Sequence, residues 1–145
     1  MNHTLASIGT MHTEFKERGQ APRQGAVMPD SQGTAIIHDE FADGLADIEG
    51  FSHIWVLFLA DRTEGYSLDV TPPGESRPHG LFATRTPNRP NPIGMTLVEL
   101  AEREGNVLHV RGVDMLDGTP ILDIKPYLAN IDSRPDTRAG WATGW

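Results

Sequence analysis

The chain has no cysteine, which excludes a disulfide framework, a thiolate nucleophile and a thiolate metal site. Long apolar runs are missing too. The longest, Ile54 to Ala60, falls far short of the roughly 20 residues that a membrane-spanning helix requires. Met1-Asn2-His3-Thr4-Leu5-Ala6 lacks the charged-then-apolar build of a secretory leader, so a cytoplasmic protein is expected. There is no GxGxxG and no GxxxxGKS/T, the glycine turns that cradle dinucleotides and triphosphates. The six histidines include no HxH or HxxxH pair, so a metal centre would need ligands from distant segments, and none is expected. A GxSxG elbow is also missing, which removes the usual support for serine-esterase chemistry.

Acidic residues are absent from one stretch. The net charge of −8 opposes non-specific attraction to nucleic acid. Between Ser76 and Val98, however, there is no Asp or Glu, while Arg77, Arg85 and Arg89 are present. An acidic body with one basic rim can accept an anionic ligand. At 145 residues the chain suits a single domain spanning residues 1–145, burying roughly two thirds of the surface that its unfolded form exposes.

What is present is most distinctive in Phe82-Ala83-Thr84-Arg85-Thr86-Pro87-Asn88-Arg89-Pro90-Asn91-Pro92-Ile93-Gly94. Each proline fixes φ, removes a backbone donor and pushes the residue before it toward extended geometry. A helix or central strand cannot run through such a segment. It is a stiffened loop that holds two guanidinium forks and two amides in fixed relation, a construction suited to a carboxylate, another anion or a nucleobase edge.

Around this loop the pattern favours strands. Leu5 to Thr13 alternates loosely and reads as an opening strand, followed by turn-rich sequence from Phe15 to Pro29. Gly33 to His38 reads as a second strand. Asp39 to Gly50 has helical spacing of Phe41, Leu45 and Ile48 and reads as a short helix or a pair of turns. Phe51 to Ala60 is nearly continuously apolar, which predicts a strand buried on both faces. His53 within it reads as a core or interface residue. Gly80 to Thr84 is expected to lead into the loop as a strand and Met95 to Ala101 to leave it as another. Glu104-Gly105-Asn106 signals a hairpin into Asn106 to Gly112, which Val113 to Leu116 would extend. Asp117-Gly118-Thr119-Pro120 reads as a turn before a strand from Ile121 to Ile124. The tail from Asp132 to Trp145 is polar, but its two tryptophans predict that it docks. Many short strands with regular turns indicate a mainly β fold, an antiparallel barrel or sandwich with one or two short helices.

Two constellations accompany the loop. Asp114, Asp117, Asp123, Lys125 and Tyr127 place three carboxylates, a lysine and a phenol in one short segment. Along a strand Asp123 and Lys125 share a face, either as a solvated ion pair worth about 0–1 kcal/mol or as part of a site. Pro22-Arg23-Gln24 is a rigid segment with a fork donor and an amide.

In order and spacing, several blocks resemble the signature of the TsaA-like family. They are Phe82 to Arg85, Arg89 to Gly94, Leu116 to Pro120 and Asp123 to Tyr127, with Ile8-Gly9, Pro22 to Gln24 and Phe51 to Trp55. The match covers nearly the whole chain. It implies a compact, non-Rossmann β-barrel that binds S-adenosyl-L-methionine and pairs as a homodimer with the site near the interface. Cofactor contacts carry over to Pro22, Arg23, Gln24, Asp61, Arg62, Arg85, Met95, Asp114, Met115, Leu116 and Asp117. The Asp61-Arg62 pair departs from the His-Gln pair of the family's bacterial enzyme. Arg85 suits the cofactor's carboxylate, and Met95 with Leu116 can flank its adenine. The implied reaction is methyl transfer to N6 of threonylcarbamoyladenosine in the tRNA anticodon loop. Asp123 and Tyr127 are then candidates for the acceptor's proton, with Lys125 orienting them and Asn91 and Arg89 contacting the acceptor. A different RNA or small-molecule acceptor, or a non-catalytic S-adenosylmethionine-binding module, is the alternative.

Overall fold

The computed structural model describes residues 1–17, 19–22 and 24–144. Among these residues the strands are β1 (Gly9–Thr13), β2 (Gln32–Ile37), β3 (His53–Leu59), β4 (Asp69–Val70), β5 (His79–Gly80), β6 (Ile93–Glu104), β7 (Val107–Arg111) and β8 (Thr119–Pro126). Six of them close into a barrel in the order β1-β2-β7-β6-β3-β8, with β8 returning to pair with β1. All of these pairings are antiparallel, as the sequence pattern and the family resemblance both imply.

The period of two decides what fills the barrel. Met11, Ala35, Ile37, Ile54, Val56, Val98, Leu100, Leu108, Val110 and Ile121 alternate inward and are buried. Gly105, at φ 62°, turns the expected hairpin between β6 and β7. In β3 only Ile54 and Val56 are fully buried, whereas Trp55 and Leu57 are half-buried. The expectation of two buried faces is corrected here, because one barrel wall has a single interior. On the outside, Trp55 meets Tyr127 edge-on, at 5.9 Å between ring centroids, and its indole donates to the Asp132 carboxylate at 3.1 Å.

Other boundaries differ from the sequence pattern: β1 begins at Gly9 rather than Leu5, and β6 runs from Ile93 to Glu104 rather than from Met95 to Ala101. Gly80 to Thr84 is not a strand: after the two-residue pairing of β5 with β4, Leu81–Ala83 forms a 3₁₀ turn. The Thr84 hydroxyl donates to the Leu81 carbonyl at 2.8 Å and holds that turn. Val113 to Leu116 does not extend β7, since Gly112 at φ 86° breaks the strand direction and lets Val113 and Met115 turn into the core. Asp117 and Gly118 make the expected turn, but Thr119 and Pro120 already belong to β8, where Pro120 faces Thr10 of β1. The segment from Asp39 to Gly50 resolves into two 3₁₀ helices, separated by Asp47 at φ 73°. Regular α-helix among the described residues is limited to α1 (Ala129–Asp132).

The tail docks as expected. Trp141 stacks on His79, with centroids 4.7 Å apart and planes at 15°, and its indole donates to the Ala83 carbonyl at 2.7 Å. Trp145 lies outside the described residues.

Candidate functional site

One end of the barrel opens into a cleft of about 610 Å³, within the usual range for sites that hold small molecules and cofactors. Four segments converge on it: Gly19, Ala21, Pro22 and Gln24, the end of β3 through Thr63, the Pro-rich loop into the start of β6, and the connection between β7 and β8. They meet because of a close backbone approach. A Cβ on Gly25 would lie 1.7 Å from the Gly112 carbonyl oxygen, so only glycine lets the turn after Gln24 sit against the end of β7.

That contact delivers the Gly25 N–H to Asp114, whose Oδ2 accepts at 3.2 Å while Oδ1 accepts from the Thr96 hydroxyl at 2.5 Å. Burial pushes the Asp114 carboxyl above the ordinary carboxylate range, and Thr96, the Gly25 N–H and the nearby Arg85 pull against that rise. Arg85 donates to Gln24 Oε1 at 2.9 Å, which ties the Pro-rich loop to the opposite lip. Arg89 is fixed differently: its Nη1 donates to the Thr84 and Thr86 carbonyls, both at 3.0 Å. The cleft therefore presents two held guanidinium groups and a half-buried carboxylate beside apolar walls from Phe58, Met95, Met115 and Leu116. Such a set can grip a carboxylate, receive an amine and sandwich a flat ring.

Of the residues singled out from the sequence, Pro22, Gln24, Asp61, Arg62, Arg85, Met95, Asp114, Met115 and Leu116 line this cleft. Arg23 lies outside the described residues. Asp117 does not line it. Its carboxylate instead accepts from Lys16 at 3.0 Å and the Thr13 N–H at 3.0 Å, with His12 at 3.2 Å, and its carbonyl accepts from Arg62. These bonds hold the Asp117 carboxyl below the ordinary range, the Lys16 ammonium first and the Thr13 N–H second.

Asn91, Asp123, Lys125 and Tyr127 are likewise not among the lining residues. Lys125 and Asp123 do share a face, 3.1 Å apart, but on an exposed part of β8. Tyr127 packs edge-on against His53 and Trp55 instead. Asp123 lines a second, smaller groove with Ile8, Phe41 and Ile48. Glu102, Glu104 and His109 on the β6–β7 hairpin have ligand atoms within 4.8 Å of one another. The direct contact between Glu104 and the His109 ring, at 3.0 Å, accounts for part of that cluster.

Asn88, one of the two amides of the Pro-rich loop, lines the cleft, whereas sequence reasoning missed Phe58 and Thr96. Thr96 carried a signal, as the single hydroxyl on the inward face that Val98 and Leu100 continue. A buried hydroxyl there requires a partner.

Comparison with known proteins follows this geometry closely. The family model for the tRNA-methyltransferase O N-terminal domain, TrmO_N, matches residues 10–133. A probable S-adenosyl-L-methionine-binding protein of Pyrococcus abyssi is 48% identical over 134 residues, covering 92% of this chain and 73% of the relative. The tRNA (adenine(37)-N6)-methyltransferase of Escherichia coli is 39% identical over 145 residues, covering 93% of this chain and 62% of that protein. The crystal structure of TrmO from Pseudomonas aeruginosa superposes with a TM-score of 0.82 at 36% identity, covering 97% of this chain and 63% of that one. The chain thus spans about three fifths of the Escherichia coli enzyme and of the solved TrmO chain. With the barrel, the cleft and these matches in agreement, the chain belongs to the TrmO_N family, the TsaA-like barrels to which its sequence blocks point.

Proposed function

We propose that this protein is an S-adenosyl-L-methionine-dependent methyltransferase that modifies N6 of a tRNA adenosine, with threonylcarbamoyladenosine in the anticodon loop as the acceptor. The observation that carries this reading is the cleft itself: Arg85, Asp114, Met95 and Leu116 converge on one space within a chain of the TrmO_N family. The residues fit the cofactor. Arg85 is a fork donor for its carboxylate, Asp114 an acceptor for its amino group, and Met95 with Leu116 a sandwich for its adenine. Pro22, Gln24, Asp61, Arg62 and Met115 complete the proposed contacts, with Arg23 beside them in sequence and Asp117 bracing the wall. When bound, S-adenosyl-L-methionine supplies an electrophilic methyl group on a good leaving group. The protein's share is alignment of donor with acceptor nitrogen, exclusion of water and removal of one acceptor proton.

For the acceptor we propose Asp123 and Tyr127 in proton handling, Lys125 in orienting them, and Asn91 with Arg89 in contact. None of the first three lines the cleft of its own chain, so this assignment requires a homodimer with each site near the interface, one subunit serving the other's cleft. No helix among the described residues is long and apolar enough to cross a membrane, and the reading places the protein with tRNA in the cytoplasm.

The deciding experiment is incubation with methyl-labelled S-adenosyl-L-methionine and tRNA carrying threonylcarbamoyladenosine, then digestion and mass analysis of the nucleosides. Label on that nucleoside is expected. Bound cofactor without acceptor-dependent S-adenosylhomocysteine release would point to a binding module instead. Mixing Arg85→Ala with Tyr127→Phe tests the shared site: each variant alone is impaired, and the mixture regains activity only if the two residues act from different subunits.

A further inference from the structure

Phe82 is the most exposed large aromatic side chain among the described residues, at 75%, and it lies two residues before Thr84 of the proposed methyl-transfer cleft. Its neighbours are fixed from below and from the side. Leu81 is buried at 1% exposure, the Thr84 hydroxyl and N–H both bond the Leu81 carbonyl, and the Trp141 indole holds the Ala83 carbonyl at 2.7 Å. The Leu81–Ala83 turn is therefore a rigid mount for a ring that packs into no core. The guanidinium carbon of Arg89 lies 5.8 Å from the Phe82 ring centroid, and Arg89 also lines the cleft. Its donors to Thr84 and Thr86 keep that cation over the ring.

An exposed aromatic face, backed by arginine in a stretch free of acidic residues from Ser76 to Val98, matches the way single-stranded nucleic acid is held. Bases stack on the ring while the arginine charge attracts the adjoining phosphates. We propose that Phe82 is a stacking platform for an unpaired nucleobase of the RNA acceptor, pre-set by Arg89 and by the Trp141 contact. This rests on the RNA-methyltransferase reading, and it adds a residue that selects for an unstacked loop over paired RNA.

The test is binding of a labelled RNA stem-loop with adenosines in its loop, measured with S-adenosyl-L-methionine present for the full chain and for Phe82→Ala, Phe82→Leu and Phe82→Tyr. Stacking predicts about 5- to 150-fold weaker RNA binding for both Ala and Leu, near-native binding for Tyr, and cofactor affinity and oligomeric state unchanged in all. Rescue by Leu would mean an apolar contact rather than a platform. A changed oligomeric state would assign Phe82 to a protein interface, and unchanged RNA affinity in Phe82→Ala would also overturn the proposal. Wild-type methyl transfer, measured in parallel, reports separately on the enzymatic reading: RNA binding that depends on a ring at position 82 without methyl transfer would leave the platform standing and remove the reaction.

Discussion

Arg85 and Asp114 face the same cleft from different loops, and their separate attachments predict separable losses. Arg85 is held through Gln24 at 2.9 Å, outside the core, so Arg85→Ala is expected to fold normally and to weaken cofactor binding by about 10- to 150-fold, the worth of a charged hydrogen bond. Calorimetric titration with S-adenosyl-L-methionine checks this, and an unchanged affinity would misplace the carboxylate contact. Asp117 makes the opposite kind of prediction, one about stability. Because Lys16 and the Thr13 N–H hold its carboxyl below the ordinary value, its contribution is present above the ordinary carboxylate range and is lost as pH falls through the lowered value. Asp117→Asn should therefore melt earlier than the native chain at neutral pH, with the gap closing on acidification. A gap that persists into acid would show a packing role instead of a charged one. At this scale the sequence disclosed the contiguous blocks well, since Asp114 to Leu116 are placed together by the chain itself. It did not disclose that Asp117 turns away to Lys16 and Thr13, partners about a hundred positions distant whose approach depends on barrel closure.

The elements that carry these residues are tied by backbone contact more than by side chains. Gly25 is the clearest case: a Cβ there would meet backbone, the Gly112 carbonyl oxygen at 1.7 Å, and no rotamer change can relieve it. Gly25→Ala is expected to destabilise the protein by about 1–3 kcal/mol or more. It should also weaken cofactor binding, because the turn that brings its N–H to Asp114 is pushed out. Urea unfolding with cofactor titration checks both, and native behaviour in each would mean the turn moves freely. The strands β6 and β7 were readable because apolar and polar residues alternate through them with a glycine turn between. β3 misled because its outer residues are as apolar as its inner ones, and period alone cannot tell a covered face from a half-covered one. The 3₁₀ turn at Leu81–Ala83 was hard to read for a related reason: Thr84 closes it locally, but the Trp141 indole that bonds its Ala83 carbonyl comes from the far end of the chain.

As a whole molecule the protein sets an acidic body, with net charge −8, against one basic rim. RNA binding should therefore weaken with salt, but with a slope of only a few released counterions, set by Arg77, Arg85 and Arg89 and not by the total charge. Affinity measured across a salt series checks this, and a flat series would remove the rim from RNA contact. The barrel architecture was legible before the structure because strand length, turn spacing and family blocks agree. One feature of that barrel also governs time. β8 is the stave that joins β1 to β3, with Gly9 opposite Ile121 and Ile54 opposite Pro126. During synthesis both earlier strands wait with open edges until nearly the whole domain has been made. Closure then joins positions at opposite ends of the chain, the kind of distant pairing that slows folding into the millisecond-to-second range. The chain is thus exposed to wrong partners longest just before its last strand arrives.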